Sequence, residues 1–187
     1  MDSDFQNKKI LEDHLRELYG RSVWTHKTQE KCADILKKRN DNLKLTQIIL
    51  SALTTTGILV SVFGESFWVG ISSAILSAVL FAISTYNRKY DLGELSKKHS
   101  DSASDIWYVR EKYLSLLADL KSGDVSIDEI RSKRDIILTE LHKIYKGAPR
   151  TISKAYKEAT QALKSNEELT FSDEEIDMLL PNGLRKN

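Results

Sequence analysis

The sequence is poor in residues that interrupt regular structure or cross-link it. Its 187 residues include two prolines, eight glycines and a single cysteine, Cys32. So few turn-forming residues argue against an all-β fold, which needs a turn after every short strand. A single cysteine excludes an intramolecular disulfide and is compatible with a reducing compartment. The composition therefore favours an all-α fold.

An excess of one charge is also missing, as are the common catalytic motifs. The 28 basic and 27 acidic residues leave a net charge of +1 and are interleaved, so no extended basic surface is expected to attract nucleic acid. There is no HExxH, paired-cysteine or glycine-rich phosphate motif. His26 and Glu30 are four residues apart and could share a metal, but a solvated helix face is the simpler interpretation. We therefore predict no enzyme, no catalytic, cofactor or metal site, and no nucleic-acid partner.

Two long uncharged runs stand out against this mixed background. Residues 45–64 and 66–87 carry no charged side chain over 20 and 22 residues. Each run matches the roughly 20 helical residues that cross a hydrocarbon core. The turn at residues 64–66 is so short that the two helices must lie antiparallel and in contact. The sequence thus predicts a two-span transmembrane helical hairpin in the lipid bilayer.

The flanking residues orient the predicted hairpin. Lysine and arginine precede the first span and follow the second, whereas the turn carries only Glu65. By the positive-inside rule, both termini are then cytoplasmic and Glu65 faces outward. Aromatic residues mark both boundaries, as expected of interfacial belts: Phe63, Phe67, Trp68, Tyr86 and Tyr90. We expect a multi-pass protein of the inner or plasma membrane; the alternative is an apolar hairpin buried in a soluble helical bundle.

The hairpin divides the chain into four parts. Residues 1–44 are predicted to form cytoplasmic N-terminal helices, and residues 45–87 the transmembrane hairpin. Residues 88–164 are predicted to form a cytoplasmic helical region. Residues 165–187 form a polar C-terminal tail.

Local signals place some of the helix ends in the cytoplasmic parts. Gly20 interrupts the first apolar pattern, and Ser22 is suited to cap a second helix that leads toward the membrane. Ser126 and Glu129 have the spacing of a capping box. We therefore expect a break in the N-terminal region and a new helix after Ser126.

The first span is unusually polar for a membrane segment. Seven of its twenty residues are hydroxyl or amide side chains: Thr46, Gln47, Ser51, Thr54, Thr55, Thr56 and Ser61. Most of them share one helix face near Lys44, because successive residues differ by 100°. We define the polar seam as Gln47, Ser51, Thr54, Thr55 and Ser61, and predict that it lines a pore in a homo-oligomer. The alternative is a structural role, in which the hydroxyls bond to their own helix and Gln47 bridges two helices.

The second span carries small residues at every fourth position. We define the small-residue stripe as Gly70, Ala74, Ala78 and Ala82. Such a stripe lets another helix approach closely. The favoured interpretation is that it packs against the first span, since the hairpin needs such a surface.

Several segments together resemble one known family. Leu50–Gly57 reads LSALTTTG, Trp24, His26 and Arg39 precede it, and Lys146–Tyr156 reads KGAPRTISKAY. Over residues 10–164 the chain resembles the SLATT family, two-transmembrane effector domains associated with SMODS nucleotidyltransferases and SLOG sensor proteins.

The resemblance implies a bacterial effector of antiphage or conflict systems. Such an effector is expected to form a membrane pore and to arrest or kill the infected cell, as in abortive infection. Its trigger would come from a nucleotide synthase or nucleotide sensor encoded nearby. The alternative is a non-conducting membrane anchor or scaffold whose cytoplasmic helices bind a partner, with Trp107, Tyr108 and Tyr113 as candidate contacts.

Overall fold

The computed structural model describes residues 2–64 and 66–186, with side chains from residue 6 onward. All regular elements in this part of the chain are helices, which confirms the predicted all-α fold. They are α1 (Asp2–Phe63), α2 (Phe67–Tyr90), α3 (Leu92–Ser122), α4 (Ile127–Gly147), α5 (Ser153–Lys164), α6 (Asp173–Leu179) and a 3-10 turn (Asn182–Leu184). The predicted outward position of Glu65 lies outside the described residues.

The first helix is a single element that enters both halves of the molecule. It contains 62 residues without a break and is therefore about 93 Å long. The expected break at Gly20 is wrong. A glycine inside a helix lowers its stability by only about 1 kcal/mol. Leu15 and Leu18, which precede Gly20, are buried in one core with residues of α3, and this packing keeps the helix continuous. Ser22 does not cap a helix, since its hydroxyl donates to the Leu18 carbonyl at 2.9 Å.

Helices α2 and α3 return along α1 as an almost continuous antiparallel partner. Between them only Asp91 leaves the helical conformation, and its carboxylate caps α3 by accepting from the Glu94 backbone N–H at 2.9 Å. Four contacts along this long helical hairpin keep almost the same antiparallel register: Ser61 with Gly70, Gln47 with Ser84, Ala33 with Ser96, and Gln29 with His99. One antiparallel pairing therefore continues from the turn through the spans and beyond them.

The helical core outside the spans lies where α4 joins this pair. Its buried apolar residues come from three helices: Leu11, Leu15 and Leu18 of α1, Ile106, Val109, Tyr113, Leu116 and Leu120 of α3, and Ile130, Ile137 and Leu141 of α4. Gly123 ends α3 in the left-handed conformation, with φ of 79°. Ser126 then caps α4 by accepting from the Glu129 backbone N–H, as the sequence predicted.

Helix α5 packs against α1 closer to the membrane. Its buried face consists of Ala155, Ala159 and Ala162, and Ala155 forms a small cluster with Cys32 and Ile35. Beyond α5, Glu168 forms an ion pair with Lys27 at 2.7 Å. The first residues of the predicted C-terminal tail are therefore attached to α1.

The membrane part of the hairpin has an apolar exterior. Only 6% of the apolar 18-residue window in each span is buried. Large side chains such as Ile48, Val62, Ile75 and Phe81 are more than half exposed. A helix at the centre of a soluble bundle would be mostly buried, so this finding argues against that alternative and for a membrane protein.

Candidate functional site

The first span faces the second through a regular series of positions. Leu43, Gln47, Leu50, Thr54, Gly57 and Ser61 are buried or half-buried, whereas the residues between them are exposed. Their spacing alternates between four and three residues, the 3.5-residue repeat of two helices packed side by side. The contact surface of the first span is thus partly polar.

The second span has a corresponding series of positions that face the first span. Gly70, Ser73, Leu76, Leu80, Ile83 and Asn87 are buried or half-buried along the same face of α2. Ser73 is the most completely covered of them. Small and polar residues therefore meet one another near the turn and near the opposite end of the spans, with leucines between them.

The closest approach of the two spans lies near the turn. A Cβ added at Gly70 would stand 2.6 Å from the Ser61 hydroxyl, and one added at Gly57 would overlap the Ser73 hydroxyl. Each glycine thus makes room for a serine of the other helix. These contacts between glycine and serine hold the helices close by van der Waals packing, which drives association in lipid.

At the end opposite to the turn, the amide side chain of Gln47 links the two spans. Gln47 Nε2 donates to Ser84 Oγ at 3.1 Å, and Asn87 Nδ2 donates to Gln47 Oε1 at 3.2 Å. Both polar ends of Gln47 are therefore used within one hairpin. This is the bridging role that the structural alternative assigned to it.

The polar seam consequently divides into two groups. Gln47, Thr54 and Ser61 face α2, while Ser51 and Thr55 are exposed on the flank of the hairpin. Thr55 Oγ1 donates to the Ser51 carbonyl at 2.9 Å. The Thr54 hydroxyl is buried and finds no hydrogen-bond partner among the described residues. Of the five predicted pore-lining residues, Ser51 and Thr55 are the two fully available to a second molecule.

These two residues line an open groove between the spans, our candidate functional site. The groove has a volume of about 870 Å³, and its polar lining consists of Lys44, Gln47, Ser51, Thr55, Thr56 and Ser84. Ile48, Ala52 and Leu80 complete it. Among these residues Lys44 carries the only charge, at the end of the groove far from the turn. The groove brings six polar side chains together on a membrane surface that is largely apolar.

The small-residue stripe does not pack against the first span as the favoured interpretation expected. Gly70 contacts α1, but Ala74, Ala78 and Ala82 are exposed. The reason is geometrical: a four-residue step rotates a helix position by about 40°, so three steps carry the stripe about 120° away from α1. The contact instead follows the 3.5-residue repeat. Whether the three alanines pack against another helix stays a prediction.

A second polar cluster lies outside the membrane, around His26. His26 Nε2 is 3.4 Å from Glu30, and Lys27 binds both Glu30 at 3.0 Å and Glu168 at 2.7 Å. Hydrogen bonding from His26, followed by that from Lys27, lowers the pKa of Glu30 to about 2. Although burial opposes it, bonding to Glu168 and Glu30 raises the pKa of Lys27. The His26 and Glu30 pair is thus part of an ion-pair network that attaches the tail to α1.

The aromatic residues proposed as partner contacts have different positions on α3. Tyr113 is fully buried in the core, and burial raises its pKa to about 12. Trp107 and Tyr108 are about half exposed. Only the latter two remain candidates for a docking surface.

Three residues of the site were not identified from the sequence: Ser73, Ser84 and Asn87. Each lies on the α2 face that contacts α1 or the groove. Applying the 3.5-residue repeat to the second span would have found Ser73 and Asn87, since Ser66, Ser73, Leu80 and Asn87 are seven residues apart. Ser84 lies beside this face, in the groove. The four-residue stripe drew attention to the wrong face.

Comparison with known proteins agrees with this architecture. The model of SMODS and SLOG-associating 2TM effector domain family 4 matches residues 11–175, which include both spans, the core helices and α5. No curated protein matches the chain. No solved structure matches it either. The matched residues cover most of the sequence, and the chain therefore belongs to SMODS and SLOG-associating 2TM effector domain family 4.

Proposed function

We propose that the protein is the pore-forming effector of a bacterial defence system, with several hairpins assembled around their polar grooves. The observation that carries the proposal is the groove of Lys44, Ser51, Thr55 and Ser84 on a largely apolar membrane surface. In lipid, such a groove leaves polar groups without water. Facing the grooves toward a common axis would give those groups water or one another as partners.

Oligomerisation is a necessary part of the proposal. Two helices cannot enclose an aqueous path, so several copies must contribute one groove each. The exposed alanines Ala74, Ala78 and Ala82 offer a surface on which a neighbouring helix can approach closely. The groove and the alanines lie on different parts of the hairpin, which suits a closed ring.

Triggering is assigned to a nucleotide synthase or sensor, in keeping with the SMODS and SLOG association in the family's description. By the positive-inside rule we assign both termini to the cytoplasm, where such a partner would meet α3 and α4. The partner must bind the open and closed assemblies with different affinity, and about 5.5 kcal/mol shifts a two-state assembly from 1:99 to 99:1. Fusing a cytoplasm-only fluorescent reporter to the C-terminus would test the orientation; a dark fusion of inserted protein would contradict it.

The central experiment measures ion and dye leakage from liposomes and the membrane potential of cells, with and without the partner encoded nearby. The test variant is Ser51→Leu with Thr55→Leu, because neither side chain contributes to the contact between the spans. Gln47 is left intact, since its loss would also disturb the hairpin. The matched control is Ser72→Leu with Thr85→Leu, two exposed hydroxyls of α2 outside the groove.

We expect triggered leakage from the wild type and from the control, and at least a tenfold loss in the Ser51 and Thr55 variant. Equal leakage from all three would remove the groove from the mechanism. Intact membranes under every trigger, with verified insertion, would contradict pore formation.

A scaffold function is the second candidate, supported by the exposed Trp107 and Tyr108 on α3. Aromatic side chains of this kind often anchor protein interfaces. Replacing the hairpin by an unrelated two-span hairpin separates the two functions. A scaffold keeps its activity in this chimera, whereas a pore loses it.

A further inference from the structure

Some cations far from the membrane are paired with carboxylates. Arg16, Arg21, Arg131 and Lys133 each place a nitrogen within 4 Å of a carboxylate oxygen. Most of these partners are three or four residues away on the same helix. Such pairs neutralise charge locally on the solvated faces of the bundle.

A different group of cations lies at the cytoplasmic boundary of the spans. We define the basic collar as Lys37, Lys38, Arg39, Arg88 and Lys89. All five are exposed, and none lies within 4 Å of a carboxylate in the described part of the chain. They come from both helices: Arg88 and Lys89 directly follow the second span, and Lys37, Lys38 and Arg39 lie about 9–12 Å along α1 from the start of the first span.

The carboxylates of the same region are engaged elsewhere or remain apart. Asp91 accepts from the Glu94 backbone N–H as the cap of α3, and Glu94 binds Lys98 at 2.7 Å. Asp34 and Asp41 are exposed and pair with none of the five cations. The collar thus presents a surplus of positive charge at the level of the lipid headgroups.

We propose that the basic collar binds the phosphate groups of anionic lipids in the cytoplasmic leaflet. Lys37, Lys38 and Arg39 are consecutive, so their side chains leave α1 in directions about 100° apart and reach lipids on different sides. Arg88 and Lys89 extend the same band onto α2. A cation near an anionic leaflet is attracted to it, and arginine can bind a phosphate through two parallel hydrogen bonds.

This inference does not depend on pore formation. It concerns the equilibrium choice of lipid neighbours by the inserted protein. It also goes beyond an orienting role for the charges, since the positive-inside rule demands no preference between headgroups once the protein is inserted.

The test uses the full chain in phosphatidylcholine bilayers and electron spin resonance of acyl-labelled lipids. The measured quantity is the association of labelled phosphatidylglycerol relative to labelled phosphatidylcholine. The collar variant replaces all five cations by glutamine. The matched control replaces Arg16, Arg21, Lys121, Arg131 and Lys133 by glutamine, the same change in charge far from the membrane.

We expect the wild type and the control to prefer phosphatidylglycerol by about fivefold or more, and the collar variant to show almost no preference. In the wild type, about 1 M salt should remove most of the preference by screening. If the collar variant fails to insert, replacing Lys37, Lys38 and Lys89 by arginine provides a charge-preserving variant that should keep the preference. No preference in the wild type, or an equal loss in the control, would overturn the proposal.

Discussion

The membrane half of this protein and the half outside the spans use the same antiparallel helix pair with opposite arrangements of side chains. In the half outside the spans, leucines such as Leu15 and Leu18 face α3 and polar residues face outward. In the membrane half, Gly57 and Ser61 face α2 and large apolar residues face outward. The change takes place within one unbroken helix.

The difference follows from what surrounds each half. In water, burying leucine removes apolar surface from solvent and stabilises the contact. In lipid, that gain is absent, because the hydrocarbon is as apolar as leucine. Close packing of small residues and hydrogen bonds between polar ones must then hold the helices together. The two halves should therefore respond differently to the same kind of substitution.

The largest effect is expected in the helical core outside the spans. Leu15→Ala empties a fully buried position and should lower the free energy of unfolding by about 2–5 kcal/mol. Thermal unfolding followed by circular dichroism in mild detergent, combined with proteolysis of α3 and α4, measures the loss. Leu114→Ala is the control, since Leu114 is largely exposed on α3. Equal destabilisation by both changes would contradict the location of the core.

The membrane half should be most sensitive to added volume. Gly70→Ile forces a branched side chain against Ser61 and should destabilise the contact between the spans by about 1–3 kcal/mol. Unfolding by dodecyl sulfate gives the energy, and distances between spin labels at positions 48 and 81 report the separation of the spans. Ala74→Ile adds bulk to an exposed position and should leave both unchanged. A comparable effect of Ala74→Ile would mean that the stripe, and not the 3.5-residue face, contacts α1.

A smaller, pH-dependent effect on stability is expected from Glu30, which lies outside the spans. The pKa of Glu30 is lowered from 4.5 to about 2, so the unfolded chain takes up a proton at a higher pH than the folded one. The stability that Glu30 contributes is complete above about pH 4.5 and is lost as pH falls toward 2. Because this side chain is 40% exposed, the loss is about 1 kcal/mol after screening.

The measurement for Glu30 compares melting temperatures from pH 5 to pH 2 in the wild type and in Glu30→Gln. The variant should begin less stable at pH 5, and the difference should shrink as pH falls. Parallel curves would show that the carboxylate charge contributes nothing to the attachment of the tail. Glu12→Gln, at an exposed pair with Arg16 of 3.8 Å, serves as the control.

Those features that rest on local composition could be predicted from the sequence. The absence of charge over residues 45–64 and 66–87 was sufficient to find the two apolar helical segments and the turn between them, and Ser126 marked the start of α4 correctly. The break expected at Gly20 was wrong because the low helix propensity of glycine, about 1 kcal/mol, was outweighed by the packing of the helix around it. Propensity alone does not reveal which core two neighbouring segments share.

The candidate site was only partly visible in the sequence for a related reason. Hydroxyl side chains in a span can face a partner helix, a groove or their own backbone, and composition does not separate these cases. The structure divides them: Thr54 faces α2, Ser51 lies in the groove, and Thr55 bonds to the preceding turn. The division depends on the register between two helices, which a single sequence pattern does not specify.

The continuity of α1 also has a mechanical consequence. The helix contains no proline, whereas its antiparallel partner is interrupted at Asp91. Its portion outside the bilayer is about 65 Å long and its portion inside about 29 Å, so a rigid helix that pivots at the membrane boundary has two arms of unequal length. Pushing the end of the longer arm sideways by about 10 Å would tilt such a helix by about 9° and move the other end by about 4 Å in the opposite direction. A movement among the helices outside the spans would then become a smaller one within the bilayer.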